Sequence, residues 1–265
     1  MLELRGVSKT FAKGTVNEHT ALDGVDFTLQ DGDFVTILGS NGAGKSTLFG
    51  AIVGAFWPDR GHVVLAGEDI TYQPEYKRAQ KIGILFQDPM KGTAPDMTIA
   101  ENLALAYTRG RRFPLAKALQ KKDLAVLRDH LATFGMGLED RMKMKVGLLS
   151  GGQRQAMTLL MATVARPKLL LLDEHTAALD PATAEKVLAI TVKTVQEQHL
   201  PTMMITHNMQ SALALGNRTI MMERGKIILD VAGQERAHMR VDDLLRLYSG
   251  KQGKILDNDR MLLSV

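Results

Sequence analysis

No cysteine occurs in the 265 residues. That excludes disulfides and thiolate metal sites, and it suits a reducing compartment. A run of about 18 apolar residues, the length a membrane-spanning helix needs, is also missing. The longest apolar run, KLLLLDE, is strand-sized. Charge of one sign is scarce: 33 basic and 29 acidic residues leave a formal net charge of +4, too thin a basic footprint for a nucleic-acid binder. The opening MLELRGVSKTF lacks a charged stretch followed by an apolar core, so it does not read as a secretory signal. The expectation is a cytoplasmic chain that reaches any membrane through a partner.

What is present is apolar residue in quantity, 45% of the chain, enough to build a sizeable core in one large domain or two intimate ones. Its pattern alternates. LELRGV and GVDFTLQ read as strands, as do HVVLAG and IGILF, and FVTIL is a continuous apolar run that suits a strand covered on both faces. STLFGAIVG has helical periodicity and stops at Gly54. From about residue 91 to 166 the character becomes helical. MTIAENLALAY and LAKALQKKDLAVLRDHLATFG carry apolar residues at helical spacing, and QRQAMTLLMATVA is a third helix that ends before Pro167. Strand–helix alternation then resumes with KLLLL, PATAEKVLAITVKTVQEQ with proline at its first turn, TMMIT and RTIMME, a hairpin at RGK into IILDV, and a short helical tail around VDDLLRLYS. A parallel α/β core with an inserted helical subdomain is expected.

GSNGAGKST fits the phosphate-loop pattern G-x-x-x-x-G-K-[ST] over Gly39–Ser46, between an expected strand and helix. Glycines are needed there because the backbone must wrap phosphates closely, and the N–H groups of Gly42, Gly44 and Lys45 face the anion at a helix N-terminus. Lys45 is expected to reach the β- and γ-phosphates, and the Ser46 hydroxyl a Mg²⁺ ion. LLLLDE ends a buried strand in two carboxylates at the edge where α/β sheets bind ligands. Asp173 is expected to hold Mg²⁺ through water and Glu174 to polarise the attacking water as general base. Gln87 closes IGILFQ and His207 closes TMMITH; from position alone each is either a structural residue or a sensor of the γ-phosphate. LLSGGQRQ, at 148–155, puts a serine and two glycines at a helix start, an anion site without a lysine of its own. One nucleotide needs one cradle. Because the second lies in the helical insertion, it is expected to serve the nucleotide of another chain, in a head-to-tail pair.

With these residues in place the sequence resembles the ATP-binding subunits of ABC transporters across nearly the whole chain. The resemblance rests on GSNGAGKST (Walker A), FQDP (Q-loop), LSGGQ (signature), LLLLDE (Walker B), AALD (D-loop) and ITH (switch histidine), in the family's order. It implies an α/β fold: a P-loop NTPase core, with a mostly parallel sheet and an antiparallel β subdomain, plus an inserted α-helical signature subdomain. The expected division is a core with β subdomain over 1–90 and 167–235, a signature subdomain over 91–166 and a C-terminal helical tail over 236–265. The resemblance implies a nucleotide site of Phe11, on which adenine stacks, Gly39, Ser40, Asn41, Gly42, Ala43, Gly44, Lys45, Ser46, Thr47 and Gln87, with Ser150, Gly151, Gly152, Gln153 and Asp180 at the paired chain's face. It makes Gln87 a Mg²⁺ ligand beside Ser46 and Asp173, and His207 a γ-phosphate contact that works with Glu174 and Lys45.

ATP and Mg²⁺ are the implied cofactors. The implied partners are a second copy or paired cassette, integral membrane permease subunits and an extracytoplasmic solute-binding protein, with no nucleic acid. The location would be peripheral, on the inner face of the membrane. An importer of a small solute such as an amino acid fits LLLLDEHTAALDPATAEKV and MMERGKIILDV; an exporter cassette is the alternative. A soluble ATPase acting on DNA or ribosomes is less well matched, since no long heptad segment and no second cassette is present. One departure stands out. Where many relatives have Pro or Ser after the glutamate, this chain has His175, which is expected to put a titratable group near the subunit interface.

Overall fold

A computed structural model describes residues 1–109 and 121–252. The chain divides into two compact units, Met1–Arg78 with the chain from Leu200 onward, and Ala79–His199. The opening LAKALQ of the expected helix, residues 115–120, and the far end of the expected tail lie outside the described residues.

The first unit opens with β1 (Leu2–Phe11) and β2 (His19–Leu29), then β3 (Phe34–Leu38), α1 (Lys45–Val53), β4 (Arg60–Leu65), β5 (Glu68–Asp69) and the short α2 (Glu75–Arg78). β2, β1, β4 and β5 form an antiparallel sheet in that order. All five residues of β3 are buried, as its unbroken apolar run requires. α1 runs from the left-handed Gly44 to the left-handed Gly54, whose N–H donates to Gly50 O. At its far end the guanidinium of Arg78 is fully buried. It donates from Nη1 to Ala51 O and Ile52 O at 2.7 and 2.9 Å, from Nη2 to Thr71 O at 2.6 Å, and from Nε to Gln73 O at 2.9 Å.

The second unit holds the parallel strands β6 (Ile82–Leu85) and β7 (Leu169–Asp173), with helices α3 (Ile99–Tyr107), α4 (Lys121–Ala132), α5 (Gly151–Thr163) and α6 (Pro181–Gln198). Thr98 and Glu101 close a capping box at the start of α3. α5 is buried continuously from Gln155 to Thr163, so it is the packed centre of the helical part. It ends at Thr163, earlier than Pro167 alone demands, because the chain turns through a left-handed Arg166 (φ 50°). α6 buries Val187, Thr191, Thr194 and Val195 along one stripe at helical spacing.

The chain returns to the first unit with β8 (Thr202–Ile205), α7 (Met209–Ala214), β9 (Arg218–Glu223), β10 (Lys226–Ala232), α8 (Gly233–Ala237) and α9 (Val241–Gln252). β3 lies between β8 and β9, parallel to both, with Ile37 opposite Ile205 and Ile220. β9 and β10 pair antiparallel through Arg224 and Gly225, both at positive φ (46° and 77°), the two-residue turn whose twist matches a hairpin.

Candidate functional site

The phosphate-loop residues form a closed curl between β3 and α1. Gly39, Gly42 and Gly44 all have positive φ. A side chain at Gly44 would put its Cβ 2.5 Å from Ala21 O, so only glycine lets the loop sit against β2. Gly42 faces open space within 4 Å, and Ser40, Asn41, Gly42 and Ser46 are exposed while Ala43 and Gly44 are buried. The loop is therefore anchored on one side and open on the other. The hairpin tip anchors it further, Gly225 N donating to Ala43 O at 3.0 Å. Lys45 is buried at 7% exposure, and its Nζ donates to Gly39 O at 2.6 Å and Ser40 O at 3.0 Å, inside the curl of its own loop. An ammonium and loop N–H groups at the start of a nine-residue helix are the makings of an anion cradle.

Two further expected residues share this unit. His207 is exposed and follows β8; Thr206 N donates to Ile37 O at 3.1 Å, so the histidine leaves the sheet at the same carboxyl edge as the loop. Phe11 ends β1 with 39% of its surface exposed and meets Phe56 edge to face at 5.2 Å between ring centres. The Lys9 ammonium lies 5.6 Å from the Phe11 ring and 5.4 Å from that of Phe56. Nothing in the sequence marks Phe56, which is one more apolar residue beyond the helix stop. Here it backs an exposed aromatic face able to take a flat base.

The second unit carries the remaining residues. Leu169–Leu172 are fully buried and deliver a half-buried Asp173 at the strand end. Glu174 is half-buried and sits at φ 44°, a left-handed conformation that non-glycine residues seldom adopt and that recurs at functional sites. Its carbonyl accepts from Ala177 N at 3.0 Å, closing a turn. Gln87 is exposed just beyond β6. Asp180 caps α6, accepting from Thr183 N at 3.1 Å, and the Thr183 hydroxyl and N–H hold its carboxyl below the usual range.

The second glycine stretch opens α5. Ser150 is its N-cap: Ser150 Oγ accepts from Gln153 N, and Gln153 Oε1 accepts from Ser150 N, both at 3.3 Å. Ser150 and Gly151 are exposed, whereas Gly152 is buried against Thr183, whose Cγ2 would lie 2.1 Å from a Cβ placed there. Arg154 ties down the preceding loop through Val146 O, Gly147 O and Leu149 O.

His175 departs from expectation. It is 3% exposed, and burial pulls its ring down to about 4. An imidazole so placed is neutral between pH 6 and 7.5 and is not a titratable group open to a neighbouring chain. The sequence could not reveal this, because the ring is held by Thr191, sixteen residues away (Nε2 to Oγ1, 3.2 Å).

The oxygen donors suit a hard divalent cation. The first unit offers the Ser46 hydroxyl, and the second the Gln87 amide oxygen and the Asp173 carboxylate, each an oxygen donor of the kind Mg²⁺ prefers. Among the described residues no cluster of three or more His, Cys, Asp or Glu offers an all-protein metal cage. None of the described helices is long and apolar enough to cross a membrane.

Comparison with known proteins gives these features a family. The sequence model described as ABC transporter matches residues 22–177. The tyrosine transport ATP-binding protein of Clostridioides difficile (strain R20291) is 42% identical over 94% of this chain and 98% of its own length. The xylose/arabinose import ATP-binding protein XylG of Sulfolobus acidocaldarius is 36% identical over 89% of each chain. Among solved structures, the dimeric ATP-binding cassette MJ0796, in a post-hydrolysis state bound to ADP and Pi, superposes with a TM-score of 0.72 at 27% identity, covering 88% of this chain and 98% of that one.

Proposed function

The chain belongs to the ABC transporter family as an ATP-binding, ATP-hydrolysing subunit, and from that premise we propose that it drives amino-acid import through a membrane permease. The solute reading rests on the relative for tyrosine transport, which matches at 42% identity nearly end to end, ahead of the sugar-import relative at 36%. An extracytoplasmic solute-binding protein and permease subunits complete the proposed system, with the chain held at the inner membrane face by the permease.

Two copies are proposed to pair head to tail, each ATP held between one chain's phosphate loop and the other's LSGGQ. Phe11 stacks on the base. The backbone of Gly39–Thr47 wraps the phosphates, and Lys45 neutralises the charge on the transferring group. Ser46, Gln87 and Asp173 would hold Mg²⁺, which when bound neutralises phosphate charge. Glu174 takes a proton from the attacking water, His207 contacts the γ-phosphate, and Ser150, Gly151, Gly152 and Gln153 cap it from the facing chain beside Asp180. The same reading assigns 1–90 and 167–235 to the core, 91–166 to the signature subdomain and 236–265 to the tail.

The observation that carries this proposal is a strained, half-buried Glu174 immediately after the buried β7 strand, in a chain with a formed phosphate loop. Glu174→Gln should bind Mg-ATP yet release phosphate at least about a hundredfold more slowly, the scale of a lost general base. A variant as fast as wild type would move the base elsewhere. With permease and binding protein reconstituted in vesicles, amino acids should stimulate ATPase activity; stimulation by sugars alone would overturn the solute reading.

A further inference from the structure

The fold leaves His175 buried beside the proposed general base with no assigned task. Thr191 Oγ1 has a single proton, and it lies 2.8 Å from Val187 O on the same helix, the usual back-bond of a helical threonine. The contact at 3.2 Å from His175 Nε2 therefore has Nε2–H donating to the hydroxyl oxygen. Both side chains are shut off from water, at 3% and 1% exposure. The bond fastens the first residue after Glu174 to the middle of α6.

The backbone explains why a fastening is useful there. Glu174 leaves β7 in a left-handed conformation that strains a non-glycine residue and persists only where its surroundings over-determine it. The turn from Glu174 O to Ala177 N fixes one side of that conformation. The His175 ring fixes the other, since an imidazole anchored in the core sets the direction in which the chain must leave Glu174. The same anchor reaches α6, whose N-cap is Asp180.

We propose that His175, through its bond to Thr191, is a positioning residue that holds the Glu174 carboxylate in register with the attacking water. The proposal rests on Glu174 being the general base. It predicts a defect in turnover with nucleotide affinity spared, because the phosphate loop and base platform belong to other elements.

Thr191→Val keeps the shape of the side chain and removes the acceptor. His175→Phe fills the site without a donor, and His175→Gln keeps an N–H at nearly the position of Nε2. Steady-state phosphate release by the full chain, at temperatures where circular dichroism shows each variant folded, should give a kcat about tenfold lower for Thr191→Val and His175→Phe, with KM for ATP within about twofold of wild type. His175→Gln should stay within about threefold. The double variant His175→Phe/Thr191→Val should be no slower than the slower single variant, since both remove one bond. Wild-type kcat in folded Thr191→Val overturns the proposal, as does a loss that falls equally on KM, or a His175→Gln as slow as His175→Phe. If His175→Phe fails to fold, Thr191→Val and His175→Gln decide alone. Glu174→Gln separates the two readings: its full activity would refute the base assignment, whereas an inactive Glu174→Gln beside a fully active Thr191→Val refutes the positioning role only.

Discussion

A single ammonium sets the character of the phosphate loop. Lys45 is almost fully buried yet bonded to two carbonyls of its own loop, so its charge is stored where a phosphate would meet it. Lys45→Ala should lose most nucleotide affinity and nearly all hydrolysis, measured by calorimetry beside phosphate release. Unchanged turnover would remove the loop from the mechanism. His175 supplies the opposite case, a basic side chain that carries no charge. Its folded-state value of about 4 lies below the ordinary 6.5, so the neutral ring is the native form. The stability this contributes is full above pH 6.5 and is lost as pH falls from there towards 4, where the unfolded chain takes up the proton first. His175→Phe should therefore lose less stability than wild type between pH 6.5 and 4 in urea titrations. Its ATPase rate should run parallel to wild type from pH 6 to 7.5, displaced in height but equal in slope. A slope that changed there would mean the ring is reached by solvent.

At the scale of elements, α1 is held at both ends by different chemistry. Its N-terminus is closed by the glycine loop of residues 39–45, and its last turn has no capping side chain; Arg78 does that work from α2, with four bonds to backbone carbonyls of Ala51, Ile52, Thr71 and Gln73. Arg78→Met would strand those carbonyls in the core and should cost roughly 2–4 kcal/mol, about 5–15 °C in melting temperature. A melt coincident with wild type would show that the clamp contributes nothing. No sequence signal marked Arg78, because its partners are main-chain atoms of other elements. α6, in contrast, was legible to the residue: Asp180-Pro181 announces its start and its apolar spacing carries it to Gln198. The β9–β10 hairpin was equally plain from Arg-Gly between two apolar runs. α7 is not legible in the sequence, since six residues give no periodicity to detect. The motifs at the site were readable because each is a local run. Phe56 behind Phe11 and Thr191 behind His175 were not, because they depend on which distant residues the fold brings together.

The largest scale returns to the second glycine stretch. Ser150 and Gly151 are exposed at the start of a capped thirteen-residue helix, while Gly152 and Gln153 are engaged by Thr183 and Met136 of the same unit. The exposed pair is the part that the proposed head-to-tail arrangement would set against another chain's phosphate. If it caps that phosphate in trans, Ser150→Arg and Lys45→Ala damage opposite halves of every composite site. Each variant alone should be nearly inactive, because both of its sites carry one lesion. In a mixed pair one site collects both lesions and the other has none, so mixing the two variants, with permease present where pairing needs it, should restore activity. At random pairing about half of all dimers are mixed, and each has one sound site, so recovery should approach a quarter of the wild-type rate if sites turn over independently. Capping within one chain predicts no recovery at any mixing ratio. Should turnover require two sound sites, the same mixture must still retain ATP at one site per mixed dimer after rapid gel filtration. A mixture that neither hydrolyses nor retains ATP, beside wild-type chains that do both, would end the trans-capping reading of Ser150 and Gly151.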